Sequence, residues 1–442
     1  TYLSLVELSA RPVPEREAWL LLADELGDSF AASAISRTLD REERGVALSV
    51  DRLSEATVTV WVDRGIRIQD GRGVPDRVLG SGFYIDPDGY ILTNYHVVES
   101  EVDPTYEGFS RAYIRPPDDP QSRIPARVIG YDRFLDLALL KVERPSEVVV
   151  PITAAPGLPS GDPVVAIGSP GGLERTVTSG IVSAAGRRFL PVGDSIQVDV
   201  PINPGNSGGP LLDADGRLVG IIFAGIEQFE GINFAIPSYW IRRMLPGLYS
   251  GGQAPSAWLG ASVQQAPRGL EVIYTLPGGP ASNAGIREGD IIVAIGDREV
   301  PEIVGAQDAL LRYAPGTLHF VSFLRENQRL QTVVRAEQRP RLPIAEALPA
   351  AEAIDLLPPL FGIESERTSS GFGQRYVVTR VIPGSIGDEV GISERDPFQL
   401  RDWFVDVDEG YALLEILVRR RTGGFLEAAI QLVSFLDINS FI

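Results

Sequence analysis

The chain has 442 residues, a formal net charge of −19, 44% hydrophobic residues and 22% charged residues. That is ordinary globular composition at a length suited to about three domains, and the acidity argues against nucleic acid, whose phosphates need clustered Lys and Arg. The chain has no Cys and only His96 and His319, which excludes disulfides, thiol nucleophiles, Cys-ligated zinc, His-rich metal sites and the HExxH pattern, so no metal and no cofactor is implied. Lys141, the one lysine, precedes Val142, so there is no Walker A loop. No apolar run approaches the roughly 18 residues needed to cross a membrane. "AWLLLA" at 18–23 is too short and too charge-flanked for a signal core. Because the chain begins at Thr1 rather than Met, removal of an upstream segment is expected.

Residues 14–44 place Trp19, Leu22, Ala23, Leu26 and Phe30 at helical spacing, predicting a packing or oligomerisation helix in an N-terminal helical extension, 1–55. From "ATVTVWV" (56–62) to "GINFAIPS" (231–238) the texture changes to short apolar runs broken by Gly and Pro. "GFYID", "YILTNYHVV", "LALLKV", "PVVAIGS", "TSGIVSA", "SIQVDV" and "LVGIIFAGI" all read as strands, and so many short strands point to barrels or a sandwich. "SGGQAPSA" (250–257) has linker composition. Beyond it "WLGASVQ", "GLEVIYTL", "DIIVAIGD" and the hairpin "LHFVSFLRENQRLQTVVRA" predict strands, with a helix from Ile303 to Tyr313 between them. Pro-rich "RPRLPIAEALP" (339–349) predicts a second break. "TLPGGPASNAGIREGDII" (275–292) is echoed by "VIPGSIGDEVGISERDPF" (381–398), which suggests two related modules, the second degraded.

"NPGNSGGP" (203–210) encloses Ser207 between Gly205, Gly208 and Gly209. It reads either as a surface turn or as a nucleophile loop whose glycines let backbone N–H groups approach a substrate carbonyl. His96, at the end of the apolar strand "ILTNYHVVES", is either a structural histidine or a base. Asp136, between Leu135 and Leu137, is costly without a partner, so it is a cap, a bridge to Arg, or the residue that holds the base. The order His, Asp, Ser within one strand-rich block is that of the double β-barrel serine proteases. It predicts one barrel carrying His96 and Asp136, a second carrying Ser207, and a site in the cleft between them. A Ser–Lys dyad through Lys141 is unnecessary with His96 available.

"LTNYHVV", "DLALLKV", "TVTSGIVSA", "GNSGGPL" and "INFAIPS" together resemble the HtrA/DegP family of trypsin-like serine proteases, and "WLGASVQ…PGGPASNAGIREGDIIVAIGD" resembles its first PDZ domain. The resemblance covers about 56–338. It weakens over 340–442, where "LFGIES" and "VIPGS" suit a second PDZ but "ISERDPF" replaces the usual Gly-Asp step. The expected fold is mainly β: a double β-barrel trypsin-like domain (56–248), a PDZ domain (257–338) and a divergent PDZ-like α+β domain (345–442).

The family likeness implies His96 as base, Asp136 as its orienting partner, Ser207 as nucleophile, and the N–H groups of Gly205 and Ser207 as oxyanion donors. It also implies an S1 pocket from Ile202, Ile226 and Ile232, with substrate pairing near Phe223 to Gly225. None of those positions is charged, so Val, Ala or Leu is favoured at P1. The stretch 258–262 implies capture of a peptide carboxylate by the N–H groups of Leu259, Gly260 and Ala261. The implied protein is an ATP-independent quality-control endopeptidase acting on unfolded or damaged proteins, a homotrimer or multiple of trimers, in the bacterial periplasm or envelope. The alternative is a proteolytically silent peptide-binding chaperone or scaffold. Its signature, a broken triad or a filled oxyanion hole, is absent from the sequence.

Overall fold

β-Branched and aromatic runs form antiparallel strands throughout the computed structural model. It describes residues 49–69, 71–119, 121–152, 158–169, 176–225, 231–349, 351–368, 375–421 and 425–442. The helix expected over 14–44 and Ile226 lie outside the described residues. The chain divides into two compact units, one ending at Ala254 and one spanning Pro255–Ile442.

In the first unit a short helix α1 (Val50–Ser54) precedes β1 (Thr57–Gln69), β2 (Arg72–Asp86) and β3 (Tyr90–Thr93). Helix α2 (Tyr95–Val102) then leads to β4 (Arg111–Arg115), β5 (Ile124–Asp132) and β6 (Leu137–Val142). The order β5-β4-β1-β2-β3-β6 closes through β5–β6 pairing, giving a six-stranded barrel. Its strands bring Val58, Val60, Phe83, Ile91, Leu92 and Leu139 to full burial. A second closed barrel runs β10-β11-β12-β9-β8-β7. Its strands are β7 (Pro163–Gly168), β8 (Thr176–Arg187), β9 (Ser195–Val198), β10 (Pro210–Leu212), β11 (Leu218–Gly225) and β12 (Asn233–Pro237). Closure gives each strand a neighbour on both sides, though β4 pairs with only the first residues of β5 and leaves Gly130 and Tyr131 for another partner.

Helix α3 (Ser238–Ser250) follows, and the stretch expected to be a free linker does not behave as one. Gly252 and Gln253 form β13 (Gly252–Gln253), pairing parallel to β5 at Gly130 and Tyr131. Ala254 N–H donates to Tyr131 O at 2.7 Å, and Ala254 is fully buried. Linker composition yields here to unmet donors and acceptors on β5.

Among the described residues, the second unit holds two large antiparallel sheets and a two-stranded one. After β14 (Ala257–Trp258), the first sheet runs β15 (Ala261–Ala266), β16 (Gly269–Thr275), β17 (Ile291–Ile295), β19 (Leu318–Arg325), β20 (Gln328–Arg335), with β18 (Arg298–Glu299) paired to β17. Helix α4 (Pro280–Asn283) follows β16, and α5 (Ile303–Leu310) precedes β19, ending three residues before the expected Tyr313. β21 (Glu337–Gln338) pairs with β14.

The expected break at 339–349 carries α6 (Pro343–Ala347), whose Ile344 and Ala347 are fully buried in the second core. After α7 (Leu357–Phe361) come β22 (Ile363–Thr368), β23 (Arg375–Val381), α8 (Ile386–Glu389), β24 (Pro397–Asp406), β25 (Tyr411–Arg421) and β26 (Phe425–Phe435). The five strands β22 to β26 form one sheet in chain order.

The internal echo is a shared turn. In the first module Gly289 N–H donates to Val272 O at 2.8 Å, Val272 N–H to Asp290 O at 2.8 Å, and Arg287 N–H to Asp290 Oδ2 at 2.8 Å. In the second, Arg395 N–H donates to Val378 O at 2.8 Å, Val378 N–H to Asp396 O at 3.1 Å, and Ser393 N–H to Asp396 Oδ2 at 3.0 Å. Arg395 thus stands where the first module has Gly289, in the same left-handed backbone (φ 68° against 83°).

Candidate functional site

His96 lies in the first turn of α2, not at the end of a strand as its apolar neighbours suggest. A distant residue decides this. Asp136 O accepts from Tyr95 N–H at 3.1 Å and from Asn94 Nδ2 at 2.9 Å, while Asp136 Oδ1 accepts from His96 N–H at 2.8 Å. These bonds satisfy donors that a helix start leaves open, and they outweigh the β-preference of Val97 and Val98. Asp136 Oδ2 meets His96 Nδ1 at 2.7 Å. That contact puts the proton on Nδ1 and leaves Nε2 with its lone pair.

Asp136 reaches this position through a tight turn. Asp132 Oδ1 accepts from Phe134 N–H at 3.0 Å and from Leu135 N–H at 2.7 Å, an Asx-type turn. Asp136 itself adopts φ 54°, a left-handed conformation costing a non-glycine residue about 1 kcal/mol. Such strain persists where surrounding bonds over-determine it, as four hydrogen bonds to this residue do.

Ser207 belongs to a loop clamped against β2. Ser81 N–H donates to Ser207 O at 2.7 Å, Ser81 Oγ donates to Gly205 O at 2.6 Å, and Thr93 Oγ1 donates to Ser81 O at 2.7 Å. The glycines permit this approach. A Cβ on Gly208 (φ 87°) would lie 2.1 Å from Ser81 O, and one on Gly80 would meet Val97 Cγ2 at 2.7 Å and Ser207 O at 3.1 Å. Gly80 therefore touches both the His96 helix and the Ser207 loop, bringing the two segments together.

The Ser207 hydroxyl donates to Phe223 O at 3.4 Å, and no hydrogen bond joins it to His96. Among the described residues, the N–H groups of Gly205 and Ser207 donate to no protein group. Gly205 is buried and adopts a positive φ of 107°.

Burial disfavours a charged His96 imidazole, but the Asp136 carboxylate outweighs it through charge and hydrogen bond, and Glu99 adds to it. The net result is a pKa raised above the ordinary 6.5. The His96 side chain remains 43% exposed and Asp136 13%.

Ile202 packs, partly buried, against the second barrel's core, and Ile232 is half-buried before β12. Phe223 is buried on β11, its ring 5.9 Å from Phe189, and Gly225 pairs with Asn233 at the strand's end. Lys141 Nζ donates to Val142 O at 2.8 Å and lies over the Tyr90 ring, with no contact to Ser207. Sequence reasoning missed Ser81, Asn94 and Asp132. Their signals were present: a serine flanked by Gly80 and Gly82, an N-cap type before an apolar run, and an Asp opening a turn.

In the second unit, Leu259 and Gly260 connect β14 to Ala261, the first residue of β15, and the three present a second donor group. Their N–H groups donate to Ile442 O at 3.1, 3.0 and 3.3 Å respectively.

Comparison with known proteins follows this layout. Residues 80–221 match a family model described as a trypsin-like peptidase domain, residues 257–335 a PDZ domain, and residues 345–436 the TP0546 family PDZ domain. A protein of Hahella chejuensis named "Probable periplasmic serine endoprotease DegP-like" is 34% identical over 338 residues, 69% of this chain and 68% of that protein. A Chlamydia muridarum protein of the same name is 35% identical over 283 residues, 60% of this chain and 55% of the relative. The chain thus spans about half the length of the chlamydial relative. Among solved structures, the HtrA-type protease AlgW with tripeptide is similar at TM-score 0.57 and 30% identity, covering 66% of this chain and 96% of that one. The serine endoprotease from Yersinia pestis is similar at TM-score 0.50 and 31% identity, covering 66% and 99%.

Proposed function

The chain belongs to the HtrA/DegP family of serine endoproteases, and we infer that it hydrolyses peptide bonds of unfolded or damaged proteins through Ser207, His96 and Asp136. The observation that carries this reading is the 2.7 Å contact of His96 Nδ1 with Asp136, beside a glycine-framed Ser207 loop with two unpaired N–H groups. Ser207 Oγ rotates from Phe223 O toward His96 Nε2, which takes its proton as the oxygen attacks the scissile carbonyl. Gly205 and Ser207 N–H receive the developing oxyanion, each such donor typically contributing about 3 kcal/mol. His96 then gives its proton to the leaving amine, and water, activated by the same ring, releases the acyl group. Asp136 fixes the tautomer and stabilises the imidazolium.

Ile202, Ile226 and Ile232 line an apolar S1 pocket in this reading, and the substrate backbone pairs beside Phe223 to Gly225. The domains are the protease (56–248), a PDZ domain (257–338) whose Leu259–Ala261 loop takes peptide C-termini, and a second PDZ-like domain (345–442). The family name carried by the relatives supports a periplasmic site of action. The homotrimer is expected from family membership and is checked by sedimentation. Incubation with unfolded casein and a fluorophosphonate tests the chemistry: cleavage unaffected by EDTA and a single labelled residue, Ser207, are expected. Labelling elsewhere, or no cleavage with a folded protein, overturns the assignment and leaves a peptide-binding chaperone.

A further inference from the structure

The groove that would take a peptide is already filled by a segment of the same chain, residues 437–442. Beyond β26 the segment Asp437–Ile442 leaves the second sheet and runs along β15 of the first. Ser262 and Phe441 form an antiparallel bridge. Ile442 N–H donates to Ala261 O at 2.9 Å, and Val263 N–H donates to Ser440 O at 2.9 Å, so the segment adds a strand to the sheet edge. Ile442 O receives the three N–H groups of Leu259, Gly260 and Ala261.

Side chains lock the segment from both sides. Gln307 Nε2, on α5, donates to Asn439 O at 2.9 Å. Arg339, 3% exposed, donates from Nη1 to Phe441 O at 2.9 Å and from Nη2 to Asp437 Oδ1 at 2.8 Å. Ile442 is 1% exposed within the first sheet's core cluster, alongside Leu259, Ile303 and Ala306, and Phe441 is fully buried in the second cluster. A strand added between β15 and α5, with Ile442 O in a nest of N–H groups and the Ile442 side chain in an apolar pocket, is the bonding of a peptide ligand.

We propose that residues 437–442 act as a built-in competitor that closes the first PDZ groove, so that an external apolar C-terminus binds only by displacing Ile442. This rests on the reading of the groove as a peptide site. A tethered ligand competes at a local concentration in the millimolar range, so the opened groove should bind peptide at least tenfold more tightly than the intact chain.

The test uses the full chain carrying Ser207→Ala, to prevent cleavage, and the fluorescent peptide Asp-Ile-Asn-Ser-Phe-Ile as acid and as amide. Two opened variants are compared with it: Ile442→Glu, and a chain extended by Gly-Ser-Gly-Ser beyond Ile442, which leaves Phe441 in place should the first variant misfold. Both should bind the acid peptide at least tenfold more tightly than the unopened chain. Both should also lose hydrogen-exchange protection at the Ala261 and Val263 amides, with saturating peptide restoring it. Equal, tight binding by opened and unopened chains overturns self-closure and leaves peptide capture standing. Protection at Ala261 and Val263 unchanged in the extended variant also overturns self-closure. Failure of the opened variants to bind either peptide form overturns peptide capture and the proposal together.

Discussion

Two loops in this chain aim backbone N–H groups at an oxygen, and they differ in what they hold. Among the described residues, the donors at Gly205 and Ser207 have no protein partner, whereas at Leu259, Gly260 and Ala261 every donor reaches Ile442 O. The first loop is held by bonds behind it, from Ser81 to Gly205 O and Ser207 O, which fix the loop without using its donors. In the reading proposed above, those donors are kept for a transient oxyanion. The second loop faces a groove that residues 437–442 of the same chain fill, and a foreign peptide would have to take over the same bonds. Open donors mark a place for chemistry; closed donors mark a place for competition.

The contrast can be broken most directly at Ser207. Ser207→Ala should lower casein cleavage by about a million-fold while leaving peptide affinity at the Leu259–Ala261 loop unchanged. Cleavage near the wild-type rate would mean that the unpaired donors serve no acyl transfer. Asp136→Asn should lower kcat by about 10,000-fold by stabilising the wrong His96 tautomer. Crystallography or NMR of this variant should find α2 still starting at Tyr95, because Asp136 O also caps it.

A third measurement uses pH to separate the loops. His96 must be neutral to accept the Ser207 proton, and Asp136 holds its pKa above 6.5. kcat/KM should therefore fall about tenfold for each pH unit below an apparent pKa that itself lies above 6.5. Peptide binding at the groove should stay flat over the same window, since no histidine lies in that loop. An activity optimum near pH 4 would point to carboxylate chemistry and remove the triad.

The smallest effect belongs to the two modules of the second unit. A Cβ at Gly289 meets nothing within 4 Å, so Gly289→Ala isolates the cost of the left-handed backbone, about 1 kcal/mol in a denaturant melt. The second module already bears that cost at Arg395. Its groove has gone further: where the first module inserts β18 and α5 between β17 and β19, the second joins β24 to β25 through residues 407–410 alone. The second module supplies the segment that fills the first.

Much of this was legible in the residues themselves. The strand texture of 56–238, the order of His96, Asp136 and Ser207, and the glycine cluster at 205–209 depend on local composition and spacing. The repeated turn after each "PG" was visible for the same reason: short hydrogen-bonded turns are written in adjacent residues. What sequence reading mistook lay where a distant group overrides local preference. "YHVV" looks like a strand until Asp136 caps it, "GGQA" looks like a linker until β5 offers a free edge, and "RLPIAEA" looks like a break until Ile344 and Ala347 are buried.

The last six residues, "DINSFI", carry no motif and drew no expectation. Their role depends on β26 ending within reach of β15, on Arg339 gripping Asp437 and Phe441, and on α5 forming the far wall. The sequence alone determined which side chains could do acyl transfer, because that chemistry needs particular residue types in a particular order. Only the tertiary structure decided which donors are open and which are filled, because an N–H group is the same at every position until folding brings an oxygen to it or keeps one away.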